Sequence, residues 1–79
     1  MIYCNLERIK GSRILYSVGG RVTDITGQVV VDYKTKEYDL LKKPDHSTAY
    51  DYFLRRLFDR EQANYEKGVF RNKISYEIG

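Results

Sequence analysis

The chain has 79 residues and a formal net charge of +3, with 42% hydrophobic and 32% charged residues. This composition indicates one small globular domain, near the size at which a single core becomes marginal, and excludes a disordered chain. No apolar run approaches the roughly 20 residues that cross a bilayer, and the N-terminus has no signal-peptide pattern. The single cysteine cannot form an internal disulfide, so we expect a cytoplasmic protein with no membrane association.

The first half of the chain alternates between short extended segments and turns. Ile2, Cys4 and Leu6 alternate with polar residues, which is the period of a half-buried strand. Gly19-Gly20 predicts a bulge or a tight bend after the second strand. Because the connections are short, an antiparallel meander is the expected topology. The predicted strands cover residues 2–7, 13–19, 21–23, 28–33 and 37–41.

The longest predicted element is a helix over residues 47–67. Asp45, Ser47 and Thr48 precede or begin it, and their side chains are types that accept hydrogen bonds from free amides at a helix start. Gly68 suits the left-handed position that ends a helix. Apolar residues at helical spacing form one stripe that must pack on the sheet. They are Tyr50, Phe53, Leu54, Leu57, Phe58 and Tyr65.

A final strand is predicted over residues 73–78, with Ile74, Tyr76 and Ile78 facing inward. Its place in the sheet, at a free edge or between other strands, is open at this point. The whole pattern predicts a single α+β domain over residues 1–79. It consists of an antiparallel meander of four to six short strands, one long helix (about 47–67) packed on one face, and the C-terminal strand.

Glu61 is the one ionisable residue near the centre of the apolar stripe of the helix. A buried carboxylate without a partner is costly, so Glu61 needs a cation or a donor, or it must lie at the rim of the interface. We favour the rim position, because the neighbouring Asn64 is also polar.

The outward face of the helix carries an aromatic residue among cations. Tyr52 lies opposite the apolar stripe, beside Arg55 and Arg56. Tyrosine and arginine are enriched in protein interfaces, so this group is a candidate contact surface. The alternative is an isolated exposed tyrosine on a face with Asp51–Arg55 and Arg55–Asp59 ion pairs.

One helix cannot cover both faces of a sheet, and the residues expected on the uncovered face are unusually apolar. A solvated face is normally more polar, so this pattern favours homodimerisation through the sheet. The residues concerned are Tyr3, Ile9, Leu15, Val30 and Leu41.

The basic residues suggest an alternative partner. Residues 1–43 hold eight Lys and Arg against five Asp and Glu, whereas residues 44–79 hold six of each. This mild excess is a weak version of the basic surface that nucleic-acid-binding proteins carry. The eight tyrosines could stack unpaired bases, although core packing explains them better. The candidate nucleic-acid contacts are Arg8, Lys10, Arg13 and Arg21.

The residue types that bind transition metals or form a thiol–imidazole pair are scarce. One cysteine and one histidine give no metal-binding spacing, and Cys4 lies on the apolar side of its strand, where thiols are usually structural. A Cys4–His46 nucleophile–base pair therefore has little support. We expect a non-enzyme without cofactor or metal. The predicted function is a small interaction module, self-associating or binding another protein, with nucleic-acid binding as the alternative.

Overall fold

The computed structural model describes residues 1–77, which form a five-stranded antiparallel sheet with one helix packed against it. The predicted α+β fold is therefore confirmed. The strands lie in the order β4-β3-β2-β1-β5. The elements are β1 (Ile2–Lys10), β2 (Arg13–Gly19), β3 (Gly27–Asp32), β4 (Glu37–Lys42), α1 (Asp51–Glu66) and β5 (Lys73–Tyr76).

The first four strands form the predicted meander, and the chain then crosses the sheet through α1. After the helix, β5 returns antiparallel to β1, with Tyr3 opposite Ser75 and Cys4 opposite Ile74. This places β5 at a free edge of the sheet. Ile78, predicted to face inward at the end of this strand, lies outside the described residues.

The core lies between α1 and one face of the sheet. Leu54, Leu57 and Phe58 of the predicted stripe are buried, with Phe53 and Tyr65 partly buried beside them. Each large side chain removed from water contributes roughly 1.5–3 kcal/mol, so this stripe supplies much of the stability. The buried sheet residues are Ile2, Cys4, Ile14, Tyr16, Val18, Val29, Val31, Tyr33 and Ile74.

Aromatic rings fix the position of the helix on the sheet. Phe58 stacks on Tyr16 with ring centroids 5.8 Å apart and meets Tyr33 edge-on at 6.3 Å. The hydroxyls of the two tyrosines share a hydrogen bond of 3.0 Å, which satisfies polar atoms that would otherwise be unpaired in the core. Tyr50, predicted in the same stripe, is instead 59% exposed, because it lies just before the first turn of α1.

The first irregularity of the meander lies in β1 and not at Gly19-Gly20. The register shifts between Leu6 and Arg8, so that Leu6 opposes Tyr16 but Arg8 opposes Leu15. An extra residue in one strand reverses the alternation beyond it. Ile9 therefore pairs with Ile14 on the helix side, and its predicted place on the uncovered face is wrong. Residues 21–23, predicted as a strand, form a turn.

Gly19 and Gly20 allow close backbone approach at the end of β2. A β-carbon on Gly19 would stand 1.8 Å from the carbonyl oxygen of Asp24, and one on Gly20 would stand 2.6 Å from that of Thr48. A larger residue at Gly19 would displace Asp24 of the β2–β3 loop, and one at Gly20 would push this loop away from the segment before α1. Gly20 therefore permits the contact between the β2–β3 loop and that segment, and Gly19 permits the turn of the loop itself.

The helix begins at Asp51 rather than Ser47, because the predicted cap residues have another role. Tyr50 is the N-cap and has no side-chain hydrogen bond. Ser47 donates a hydrogen bond of 2.6 Å to the carboxylate of Asp24, and the amide of His46 donates one of 2.8 Å to the same carboxylate. The amide of Gly20 in turn donates to the Ser47 hydroxyl at 2.9 Å. Asp24 is buried and acts as the organising acceptor of this loop network.

The C-terminal end of the helix is as predicted. Gly68 has a φ of 72°, the left-handed conformation that glycine adopts without strain. Its amide bonds the carbonyl of Tyr65 at 2.9 Å, and the amide of Val69 bonds that of Asn64 at 2.8 Å. These two bonds form a Schellman motif, which satisfies the last carbonyls of the helix.

The Asp24 network predicts a specific acid sensitivity. The hydrogen bond from Ser47, with smaller contributions from Thr26 and the His46 amide, lowers the pKa of Asp24 below its ordinary value of 3.8. A carboxyl whose pKa is lowered by folding stabilises the protein above the unfolded pKa and loses that contribution as pH falls through the folded pKa. We expect Asp24→Asn to be less stable than wild type near neutral pH, with the difference narrowing below pH 3.8.

Urea unfolding of both proteins across this pH range measures the effect. A gap between wild type and Asp24→Asn that stays constant down to the lowest pH would show that the Asp24 charge does not stabilise the fold.

Candidate interaction surfaces

The sheet face opposite α1, here called the open face, is defined by the strand register. Residues directly opposite each other on antiparallel strands place their side chains on the same face. Arg8 opposes Leu15, Leu15 opposes Val30, and Val30 opposes Asp39. These four residues form the central row of the open face, which runs across β1, β2, β3 and β4.

A groove of about 360 Å³ on the open face brings together residues that the sequence suggested for two different functions. Leu15, Val30 and Leu41 form its apolar part, and Leu41 is 59% exposed. A register shift in the pairing of β3 with β4 puts Leu41 in this position, because Val29 opposes Leu40 while Gln28 opposes Lys42. The groove is completed by three of the four candidate nucleic-acid contacts, Arg8, Lys10 and Arg13.

A second row on the open face is entirely charged. Lys10 opposes Arg13, Arg13 opposes Asp32, and Asp32 opposes Glu37. With Arg8 and Asp39 of the central row, the cations lie on β1 and β2 and the carboxylates on β3 and β4. These acids were not among the surface residues predicted from the sequence. Only the strand pairing shows that all three acids share a face with the cations. The spacing of two residues between Glu37 and Asp39 indicates that these two lie on the same face of β4.

Tyr3 lies on the open face but apart from the Leu15–Val30 groove. It lines a separate groove of about 270 Å³ with Val22 and Ile25 from the β2–β3 loop. A polar row of Asn5, Ser17, Gln28 and Lys42 separates the two grooves, and Asn5 also lines the Tyr3 groove. The predicted apolar face is therefore divided into two parts.

Arg21 is exposed in the turn after β2 and does not join the other predicted cations. It follows the C-terminal end of β2, whereas Arg13 begins that strand. At about 3.3 Å per residue, the length of β2 separates them by roughly 20 Å.

The outward face of α1 does not form one cluster around Tyr52. Arg56 lies over the Tyr52 ring at 5.3 Å, and Tyr52 is 53% exposed. Arg55 turns away from them: it donates a hydrogen bond of 2.8 Å to the carbonyl of Lys36 and lies 4.7 Å from the Tyr38 ring. The structure thus brings Tyr52 and Arg56 together, while Arg55 ties α1 to the β3–β4 turn.

Glu61 is buried, with only 4% of its surface exposed, so the predicted rim position is wrong. Arg71, from the segment between α1 and β5, donates two hydrogen bonds to the carboxylate, at 3.1 Å from Nε and 2.8 Å from Nη2. The amide of Asn64 donates to both carboxylate oxygens at 3.3 Å. The partner was not visible in the helical pattern, because Arg71 lies ten positions further along the chain. In turn, the Glu61 carboxylate raises the pKa of Arg71.

The groups that could support catalysis are buried or dispersed. Cys4 is buried, and its desolvation raises the pKa of the thiol to about 12. It therefore stays protonated at neutral pH and is a poor nucleophile. Within residues 1–77, no three His, Cys, Asp or Glu side chains are placed to hold a metal ion. The one helix in this part of the chain is too short and too polar to span a membrane.

Comparison with known proteins gives no relative: no protein-family model matches the chain, and neither a curated protein nor a solved structure matches at a significant level.

The Glu61–Arg71 pair predicts an asymmetric pair of variants. Arg71→Met leaves a buried carboxylate without its main partner, which should cost about 1–3 kcal/mol of unfolding free energy. Glu61→Gln leaves Arg71 near the surface, where water solvates its guanidinium. This variant should therefore lose less unfolding free energy than Arg71→Met. Equilibrium urea unfolding compares the two with wild type. An equal loss of unfolding free energy in the two variants, or a larger loss in Glu61→Gln, would contradict this account.

Proposed function

We propose that this protein is a small non-catalytic interaction module that associates with a second copy of itself through the open face. The observation that carries the proposal is the groove in which Leu15, Val30 and Leu41 lie side by side on the sheet face that α1 leaves uncovered. An apolar strip with charged residues on both sides is the arrangement of a protein interface, with an apolar centre and a polar rim.

The size of the protein supports a partner on this face. A domain of this length buries only about 60% of the surface that its unfolded chain exposes, so covering one more face adds substantially to its stability. A stable dimer needs roughly 800 Å² from each partner, and no face of a molecule measuring 32 × 26 × 20 Å exceeds that by much. The contact must therefore include the charged residues around the groove as well as its apolar centre.

The other features agree with such a role. The buried thiol of Cys4 stays protonated at neutral pH and is a poor nucleophile, and a lone cysteine suits the reducing cytoplasm in which we place the protein. The Tyr52–Arg56 pair on α1 offers less contact area than the open face. We therefore assign it a minor role that the dimer does not depend on.

Nucleic-acid binding is the second candidate function, because Arg8, Lys10 and Arg13 converge on one groove. Three cations beside apolar side chains could contact a phosphate backbone. The carboxylates of Asp32, Glu37 and Asp39 on the same face oppose this, since they repel phosphates. Self-association uses both sets of charges and is therefore preferred.

The dimer proposal predicts different effects for two exposed residues. Leu41→Asp places a charge in the apolar centre and should weaken the dimer at least about tenfold. Tyr52→Asp changes an exposed residue of similar accessibility on the helix and should leave the dimer intact. Sedimentation equilibrium from low to high micromolar concentration should give twice the 9.3 kDa mass for wild type and Tyr52→Asp. If Tyr52→Asp dissociates the dimer and Leu41→Asp does not, the interface lies on α1 and the open-face proposal is wrong.

The nucleic-acid candidate predicts binding to generic DNA or RNA at low salt that weakens steeply as salt rises. A fluorescence anisotropy titration measures it, with Arg8→Glu as the variant and Arg21→Glu as the control for a distant cation. Absence of binding at low salt removes this candidate, because a phosphate contact is strongest there.

A further inference from the structure

We infer that two copies pack open face to open face about a two-fold axis that runs parallel to the strands and between β2 and β3. This inference rests on the proposed self-association and specifies its geometry. What carries it is the separation of charge across the sheet: the cations of the two rows lie on β1 and β2, and the carboxylates lie on β3 and β4.

The symmetry axis determines which residues meet. A two-fold axis along the strands keeps each residue at its level along the strand and exchanges left and right across the sheet. It therefore places β1 over β4 of the second copy, and β2 over β3. In the central row, Arg8 faces the Asp39 of the second copy, and Leu15 faces its Val30. In the charged row, Lys10 faces Glu37 and Arg13 faces Asp32.

The alternative axis gives the opposite result. The alternative axis lies in the plane of the interface and is perpendicular to the strands. It places each strand over the same strand of the second copy and reverses the strand direction. If this axis passes through the central row, Arg8 lies over Arg8 of the second copy and Asp39 over Asp39, while the charged row lies over the polar row and only Glu37 meets an opposite charge, Lys42. Like charges facing each other disfavour this arrangement, so the charge pattern selects the first axis.

Known sheet packing accommodates the selected arrangement. Aligned sheets pack with their strands within about 30° of each other, so rows close to the axis stay matched. The polar row behaves consistently, because Ser17 faces Gln28 and Asn5 faces Lys42 in the same arrangement. β5 lies outside the region in which β1, β2, β3 and β4 of the two copies overlap, together with much of the Tyr3 groove.

Arg8 and Asp39 are the best residues for a test. Arg8 opposes Leu15 and Asp39 opposes Val30, so each has an apolar cross-strand neighbour. Neither forms an ion pair within residues 1–77. Three strand spacings of about 4.8 Å separate them within one copy, which is beyond the roughly 10 Å screening length at 0.1 M salt. Their coupling therefore reports on the contact between copies.

The experiment reverses each charge separately and then mixes the products. Arg8→Glu alone puts a second carboxylate opposite Asp39 at both ends of the dimer, and Asp39→Lys alone puts a second cation opposite Arg8. Each single variant should dimerise about tenfold more weakly than wild type at 0.1 M salt. In an equimolar mixture, one copy of each variant restores two attractive pairs, so a heterodimer of near wild-type affinity should form. Native mass spectrometry identifies it by mass.

Two further samples exclude indirect effects. The double variant Arg8→Glu with Asp39→Lys should form a homodimer again, since both pairs are attractive in reversed order. Asp59→Lys, a matched reversal on the exposed face of α1, should leave the dimer unchanged. Circular dichroism checks that all variants keep the fold.

The outcomes separate the geometry from the function. A preferential heterodimer from the mixture supports the proposed axis. A wild-type dimer with no preference for the heterodimer overturns the axis and leaves self-association standing. A wild-type protein that remains monomeric at hundreds of micromolar overturns both.

Discussion

The packing of α1 against a single face of the sheet is the interaction on which the rest of the structure depends. Leu54, Leu57 and Phe58 meet the inward residues of the strands, and the Phe58 ring contacts both Tyr16 and Tyr33. One helix has one apolar stripe and can cover one layer only. This packing therefore produces both the core and the uncovered open face, and any partner of the protein must be considered in relation to it.

Two buried carboxylates hold the loops that lead into and out of the helix. Asp24 accepts hydrogen bonds from Ser47 and the His46 amide and secures the segment before α1. Glu61 accepts two from Arg71 and secures the segment that leads to β5. Among residues 1–77, no buried side-chain nitrogen or oxygen lacks a hydrogen-bond partner. Both acids thus have a structural explanation, which leaves the surface residues as the candidates for function.

The functional proposal follows from the way that antiparallel pairing sorts side chains. Arg8 and Asp39 lie far apart in the sequence, yet the register puts them at the two ends of one row. Burial of the central apolar residues of the open face is favourable, and the charges at its sides define the relative orientation of the two copies. An isologous dimer is the common outcome for a surface that is complementary to itself. The positive residues, considered alone, resemble a nucleic-acid contact; with the acids included, they resemble half of a symmetric interface.

Elements with local signals can be recognised from the sequence alone. The apolar period predicts the helix, Gly68 marks the point where the helix has ended, and the alternation of Ile2 and Cys4 predicts a strand, because these patterns depend only on neighbouring residues. The predicted start at Ser47 was wrong, since Ser47 bonds to Asp24 rather than to the helix amides. Features that depend on pairing between distant residues become visible only in the folded structure: the bulge before Arg8, the edge position of β5, and the Arg71 partner of Glu61. The charge order of the open face belongs to the same class, because a shift of one residue in register moves every side chain beyond it to the other face.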